Sequence, residues 1–489
     1  MNKTLILNDL SLLKTRSFID GEWISSDTGN ILAVKNPANG NVIANITKCG
    51  VTETKRMIRA ASVAQKLWAK TNAKDRSKLM RKWYNLIIDN KEDLAQILTA
   101  EQGKPVTEAR AEIVYGANYI EWFAEEAKRI YGDLIPAPTN DKKLFVIKQP
   151  IGVVACITPW NFPCAMLARK IAPALAAGCT VVCKPASETP LSAMALAALA
   201  ERAGIPKGVV NILVGDPEEI GSELTSSPLV KKLSFTGSTA VGKKIMAASS
   251  STVKRTSMEL GGNAPFIVFD DADIDLSVRG AMASKYRNAG QTCICANRFL
   301  IQSGIYEEFS EKLTKAVGEL SLGFGAAENT SIGPLINEQA ADNVCALIKD
   351  ATKKGAKVLI GGGRSKLGRN FIEPTVLRNV TKSMRIFSEE IFGPVAPLFK
   401  FNTEAEAIAL ANDTEYGLAA YFYTLNSNRI WRVAEQLEYG VVGINESMIS
   451  NEMAPFGGIK ESGQGREGSK YGLDDYLELK YICLGGLEP

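Results

Sequence analysis

The 489-residue chain contains no histidine. That absence excludes Ser-His and Cys-His triads, haem held by a His ligand, and every metal site that needs imidazole. Any cysteine chemistry must then draw on a carboxylate, a lysine, the charge of a cofactor, or backbone dipoles. No apolar run reaches the roughly 18 residues of a membrane span; Leu191 to Ala200 is among the longest. Neither sign of charge is in excess. The formal net charge is +4, spread without a basic block, which gives no reason to expect nucleic acid or an anionic membrane as partner. Nine cysteines stand at irregular positions. They form no disulfide framework, so a reducing, cytoplasmic setting is expected. Cys179 and Cys183 have the wrong spacing for a CxxC clamp, and no metal is expected. The opening Met1-Asn2-Lys3, with its apolar run broken at Asn8-Asp9, does not read as a signal or transit peptide.

What is present fits large soluble cores: 46% hydrophobic and 22% charged residues, in a length that suggests two to four domains at roughly 150 residues each. From Ile151 the pattern alternates between strand and helix. Ile151 to Ile157, Thr180 to Cys183, Val209 to Val214 and Lys232 to Thr236 read as strands, and Thr256 to Leu260 as extended. Cys164 to Ala177, Leu191 to Ala203, Ile220 to Ser226 and Ala240 to Ala248 read as helices. Thr189-Pro190 supplies a cap and a first-turn proline, and Gly178 and Gly204 are stops. Such a βα series predicts an open parallel sheet with helices on both faces. A second series runs from the strand Ala264 to Phe269 and the helix Asp275 to Asn288 through Val358-Leu359-Ile360 and the helix Glu404 to Ala411 to Val441 to Asn445. Lys142 to Lys148 and Tyr476 to Leu484 are strand-like segments of a kind that lies at sheet edges, where they can pair with another subunit.

Several motifs offer chemistry, and each also has an ordinary structural reading. Cys293, in Arg287-Asn288-Ala289-Gly290-Gln291-Thr292-Cys293-Ile294-Cys295, follows an amphipathic run in an irregular loop, where a thiol can be presented as a nucleophile. Lone cysteines are more often buried small hydrophobes, and Cys295 two residues on raises a redox pair as another possibility. Glu259 ends a strand beside Gly261-Gly262, a hinge on which a general base can swing; a salt-bridged glutamate fits as well. Asn161, in Trp160-Asn161-Phe162-Pro163, stands after the first strand of the sheet, where its amide can serve an oxyanion or an Asx turn. Lys184 ends a parallel strand, and ligands bind beyond the carboxyl ends of such strands. Phe235-Thr236-Gly237-Ser238-Thr239 leads into a helix N-terminus suited to phosphate, though it is not the GxGxxG fingerprint. Glu390 and Phe392 belong to a charged, rigid turn ending in Gly393-Pro394.

In their order and spacing these segments, with Lys184-Pro185-Ala186 and Pro455-Phe456-Gly457-Gly458, resemble the aldehyde dehydrogenase superfamily. The resemblance covers about Phe18 to Leu487. Ala165 to Lys170, Arg287 to Cys295, and the tail Gly465 to Tyr481 look like its succinate-semialdehyde dehydrogenase subgroup. The resemblance implies an α/β fold: a Rossmann-like cofactor domain (1–130 and 150–260), a second α/β catalytic domain (261–460), and a small β oligomerisation element (131–149 and 473–489) serving a homodimer or homotetramer.

It also implies roles. Cys293 attacks the aldehyde, Asn161 and the Cys293 N–H hold the oxyanion, and Glu259 activates water against the thioester. Ile157, Thr158, Pro159, Trp160, Lys184, Ala186, Ser187, Gly237, Ser238, Leu260, Glu390 and Phe392 bind the nicotinamide cofactor. Arg169, Arg287 and Ser450 hold a substrate carboxylate, and an Arg fork has its own physical suitability for that group. Ser187 occupies a place where many NAD-preferring relatives carry a glutamate that repels a 2′-phosphate, so NADP is expected to be accepted and preferred over NAD. Cys295 matches a cysteine that in some relatives forms a reversible disulfide with the nucleophile. The expected substrate is succinate semialdehyde. Glutarate semialdehyde, or a broader aldehyde range, is the alternative, because one methylene is worth only about 1–3 kcal/mol. A thiol hydrolase or acyltransferase lacks its usual His partner here. A catalytically silent protein on the same scaffold is the reading from another class, and the joint presence of Cys293 and Glu259 argues against it.

Overall fold

A computed structural model of the chain describes residues 5–488. Two large sheets dominate it. The first has eight strands, with the parallel strands Val210–Ile212, Thr180–Lys184, Val153–Ile157, Val230–Thr236 and Arg255–Glu259 side by side in that order. The chain starts in the middle at Val153, moves outward one way, then returns and moves outward the other way. The order therefore reverses between Val153–Ile157 and Val230–Thr236, which is where a doubly wound sheet opens a crevice for ligands. Short antiparallel strands close the edges: Ser17–Ile19 and Glu22–Ile24 on one side, Gly463–Gln464 on the other. This last strand comes from beyond the 1–130 and 150–260 spans that the resemblance implied for this domain.

The central strands Val153–Ile157 and Thr180–Lys184 are buried throughout, as expected of a sheet covered on both faces. The helix Pro163–Ala177 is buried along its whole length, and Pro190–Ala203 nearly so. Both begin with proline at the first turn and stop at Gly178 and Gly204. Thr189 precedes the second of them, but its side chain makes no capping bond.

The second sheet has seven strands, centred on Ala296–Gln302 and Ala264–Val268, all parallel except the edge strand Lys357–Ile360. Its core is separate from those of the first sheet. Only Leu260 to Asn263 connects the last long strand of the first sheet to the first strand of the second. The helix expected over 275–288 runs Ile274–Lys285 and then breaks. Asn288 and Ala289 take left-handed angles (φ 51° and 54°), so the chain turns sharply ahead of Cys293.

The two edge-like segments pair with each other. Lys143–Pro150 and Leu477–Leu484 run antiparallel over their full lengths, and Asp133–Ile135 completes a three-stranded sheet. Leu134, Leu479, Tyr481 and Leu484 stay exposed on it. Among the described residues no helix is long and apolar enough to cross a membrane.

Candidate active site

The crevice at the strand reversal opens into a cavity of about 1090 Å³ that runs to the second sheet. The carboxyl ends of three neighbouring parallel strands supply one wall. Ile157 to Phe162 follow the first, Lys184 and Ala186 to Glu188 the second, and Phe235 to Ser238 the third. Leu260, Arg287, Cys293, Glu390, Phe392 and Ser450 come from the linker and the second sheet's loops. Seventeen of the eighteen residues assigned a role by resemblance, Cys295 set aside, thus line one space, Arg169 from the helix wall among them; only Glu259 is absent from the lining.

The nucleophile loop is held tightly. Gly290 adopts φ +75°, and a Cβ there would lie 2.2 Å from the Gly393 carbonyl. Gly262 has no room for a Cβ either, because one would lie 2.5 Å from the Cys293 carbonyl. The Gly261-Gly262 pair therefore acts as a place of close backbone approach, and the hinge expected from the sequence is packed in. Cys293 is part-exposed to the cavity. Burial pushes its thiol up to about 12; the Arg169 charge opposes this, while Glu259 and Glu390 add to it. The same thiol thus feels the arginine at one end of the cavity and Glu390 at the other.

Asn161 is fixed from four directions. Its Oδ1 accepts from Phe162 N–H at 3.0 Å, and its Nδ2 donates to the Gln291 carbonyl at 3.1 Å. Its own carbonyl accepts from Lys104 Nζ at 2.8 Å and from Asn288 Nδ2 at 3.0 Å. Lys104 is wholly buried and paired with Glu112 at 2.6 Å. Glu112 in turn accepts from the backbone N–H of Cys164 and Ala165, at the start of the long buried helix.

Glu259 is buried, and its Oε2 has no hydrogen-bond partner. Its Oε1 occupies space that a Cβ on Gly457 would contest at 2.9 Å. Burial, and then the neighbouring Glu467, raises its carboxyl well above the usual carboxylate range, against Arg169, Lys170 and Arg466. Glu467 holds Arg169 Nε at 2.8 Å and Lys170 Nζ at 2.6 Å.

At the first sheet's crevice, Lys184 Nζ donates only to the Pro185 carbonyl at 3.0 Å, and burial lowers its pKa. Ser238 stands at the N-cap of the helix Thr239–Ser249 but makes no side-chain cap bond. The free N–H groups of that first turn are thus left for a ligand. Glu390 accepts from Gly262 N–H at 3.0 Å, and burial raises its carboxyl to about 7. Phe392, held at φ 50°, meets Trp160 edge-on at 5.5 Å. An unsatisfied helix start, a buried lysine and a hydrogen-bonding acid around a long crevice suit a dinucleotide.

At the far end stand two arginines. Arg169 is 2% exposed. Its guanidinium stacks over Phe456 at 4.0 Å, and its Nη1 donates to the Tyr115 hydroxyl at 3.3 Å. Arg287 lies over the Phe162 ring at 5.4 Å and makes no salt bridge among the described residues. Ser450 Oγ sits 2.5 Å from Tyr115 Oη. Cys295 is turned away. Its Sγ faces the backbone carbonyls of Lys285 and Ala296 at 3.5 and 3.6 Å, and it is absent from the cavity wall. Tyr115, Lys104, Glu112 and Glu467 were not singled out in the sequence. Tyr115 and Glu112 sit in an ordinary amphipathic helix; Glu467 lay within the tail motif but carried no signal of its own.

The aldehyde dehydrogenase family pattern matches residues 23–482. A 3-sulfolactaldehyde dehydrogenase of Pseudomonas putida is 58% identical over 99% of this chain and 100% of its own length. A glutarate-semialdehyde dehydrogenase of Pseudomonas aeruginosa is 56% identical over 98% and 100%. An NADP-dependent succinate-semialdehyde dehydrogenase of Escherichia coli is 56% identical over 98% and 99%. The solved structure of a succinate-semialdehyde dehydrogenase from Burkholderia pseudomallei superposes with a TM-score of 0.97, at 56% identity over 98% of this chain and 99% of that one.

Proposed function

The chain belongs to the aldehyde dehydrogenase family, and on that premise we propose that it oxidises succinate semialdehyde to succinate with NADP. Arg287 carries the substrate reading: it is a cavity-wall arginine without an ion pair among the described residues, on the same loop as Cys293 and six residues before it. A part-buried guanidinium with no counter-ion, facing a cavity beside a thiol, is suited to an anion that enters that cavity. The relatives named for succinate, glutarate and sulfolactaldehyde substrates share an aldehyde with an acidic far end. Glutarate semialdehyde remains the alternative, since one methylene changes little in such a pocket.

The first sheet is the cofactor domain in this reading, and the second is the catalytic one. Lys184 and Glu390 bind ribose hydroxyls, the helix start at Ser238 takes the pyrophosphate, and Phe392 and Trp160 pack at the nicotinamide end. When bound, the nicotinamide supplies the hydride acceptor. The residues do the rest. Cys293 gives its thiol proton to water and attacks the carbonyl carbon as the thiolate. The oxygen then carries negative charge, and the Asn161 amide and the Cys293 N–H stabilise it. Loss of hydride leaves the acyl group on Cys293 as a thioester. Glu259 takes a proton from water, the hydroxide displaces the thiolate, and the carboxylic acid leaves. Glu259 must advance from its place beside Gly457 to do this. Its unpartnered Oε2 and its burial suit a group poised to take up a proton.

The exposed apolar residues on the three-stranded sheet support assembly into a homodimer or homotetramer, and the free thiols support a cytoplasmic setting. Steady-state kinetics test the substrate reading. Succinate semialdehyde is expected to have the highest kcat/KM, above glutarate semialdehyde and far above an uncharged aldehyde, with NADP above NAD. A preference for the uncharged aldehyde would overturn it.

A further inference from the structure

Glu390 reaches the crevice from an irregular turn, outside any strand or helix. Its Oε1 accepts from the backbone N–H of Gly262, in another loop, at 3.0 Å. Such a bond stays fixed only where both loops are held. One side chain holds both: that of Asn297, 2% exposed, on the strand Ala296–Gln302.

On the acid's side, Asn297 Nδ2 donates to the Glu389 carbonyl at 3.1 Å, and its Oδ1 accepts from the Ile391 N–H at 3.0 Å. These groups stand immediately before and after Glu390. A carboxamide thus supplies the acceptor and donor that a neighbouring strand would give to buried backbone. On the other side, Nδ2 donates to Asn263 Oδ1 at 2.6 Å, and Asn263 directly follows Gly262. Both amide hydrogens are therefore engaged. Reversing the amide would set its oxygen against the Glu389 carbonyl and its nitrogen against the Ile391 N–H, so its orientation is determined. Two further contacts close the ring. Asn263 Nδ2 donates to the Phe387 carbonyl at 3.0 Å, three residues before Glu390. Arg298, next to Asn297, donates to the Asn263 carbonyl from Nε at 3.2 Å and Nη2 at 3.0 Å. Phe392, two residues after Glu390, keeps its left-handed φ of 50° in this same clamped turn.

We propose that Asn297 is a positioning residue for cofactor binding: by holding the backbone on both sides of Glu390 and the side chain of Asn263, it fixes the Glu390 carboxylate where that group accepts the ribose hydroxyls. This rests on the ribose role given to Glu390 above. Asn297 is itself absent from the cavity wall, so its effect on the cofactor passes through the groups that it holds.

Asn297→Ala, Glu390→Gln and the double variant test it, with Asn297→Ser in place of Asn297→Ala if the latter does not fold. The full-length proteins, free of aldehyde, are titrated with NADPH and followed by its fluorescence. Asn297→Ala is expected to weaken binding about tenfold, as for the loss of a hydrogen bond to a charged group, and Glu390→Gln by a similar factor. Because Asn297 acts through Glu390, the double variant is expected to bind within about twofold of Glu390→Gln alone. A purely structural role for Asn297 would instead make the losses multiply, to about a hundredfold in the double variant. That result, or unchanged NADPH affinity in the Asn297 variant, overturns the proposal. Unchanged affinity in Glu390→Gln overturns the ribose role of Glu390, so the two failures are told apart by which variant shows them.

Discussion

The side-chain amide of Asn161 donates to the backbone carbonyl of Gln291 at 3.1 Å, two residues before Cys293. One bond thus joins the loop after the first sheet's central strand to the loop that carries the thiol. Residues 130 positions apart are locked together, so the Asn161 amide and the loop that carries Cys293 are held to one another. An amide nitrogen has two hydrogens, so the second is free to meet the oxygen of a substrate at Cys293.

Asn161→Ala removes that donor and loosens the loop contact. The expected loss is on the order of 100- to 1,000-fold in kcat, as for other oxyanion donors. Steady-state rates at saturating aldehyde check it. If kcat is retained and only KM rises, Asn161 contributes ground-state binding and the oxyanion role is wrong.

Behind Asn161, the buried Lys104–Glu112 pair ties its carbonyl to the start of the helix Pro163–Ala177. Lys104→Met leaves Glu112 as an uncompensated buried charge, an expected loss of about 3–5 kcal/mol in unfolding free energy. The double variant Lys104→Met with Glu112→Gln removes the charge and should recover part of that loss. Denaturant unfolding of the three proteins decides. A double variant no more stable than Lys104→Met alone would mean that the cost lies in packing against Phe162, over which the ammonium sits at 3.9 Å.

These supports show what the sequence could and could not disclose. The βα alternation was legible because each strand is a short apolar run bounded by glycine, proline or a cap; the strand order, and with it the first sheet's reversal point, was not, because tertiary pairing sets it. Cys293, Asn161, Lys184 and Arg287 could be singled out because each lies in a distinctive segment that resembles the family's. Tyr115, Glu112 and Lys104 could not. Tyr115 and Glu112 stand at helix positions that serve a core equally well, Lys104 lies in the short turn before that helix, and only the tertiary packing of Val106–Glu126 against Pro163–Ala177 brings them to the site. Cys295 was misleading for a related reason: spacing set it two residues from the nucleophile, but the turn from Thr292 to Cys295 points its thiol to the far side.

The thiol's own chemistry has a clear pH signature. Burial raises the Cys293 pKa to about 12, so in the protein without cofactor nearly all of it is protonated at neutral pH. Alkylation by iodoacetamide requires the thiolate. Its rate at Cys293 is therefore expected to climb about tenfold per pH unit from 7 to 10, with no plateau. Glu259 contributes to the raised value, so Glu259→Gln should lower it and speed alkylation at a given pH. Peptide-resolved mass spectrometry separates Cys293 from the exposed Cys483. A plateau below pH 9 would show that the loop already stabilises a thiolate unaided.

Cofactor choice turns on the segment after Lys184. Ser187 and Glu188 both face the cavity, and Lys244 reaches it from the helix Thr239–Ser249. Lys184 is buried and Glu188 exposed, so the negative charge at this end can stay in solvent. Ser187, part-buried on the wall, is the position at which an added carboxylate would be forced against a 2′-phosphate. Its hydroxyl can instead donate to that phosphate, and Lys244 adds a cation. Ser187→Glu replaces a donor by a like charge, a change worth several kcal/mol at close range and less where water screens it. The ratio of kcat/KM with NADP to that with NAD is expected to fall by at least about tenfold. Raising the salt concentration should shrink the difference, because the repulsion is part-exposed and screened. Lys244→Ala is expected to move the same ratio in the same direction by a smaller factor. A Ser187→Glu protein that keeps its preference would place 2′-phosphate recognition elsewhere on the wall.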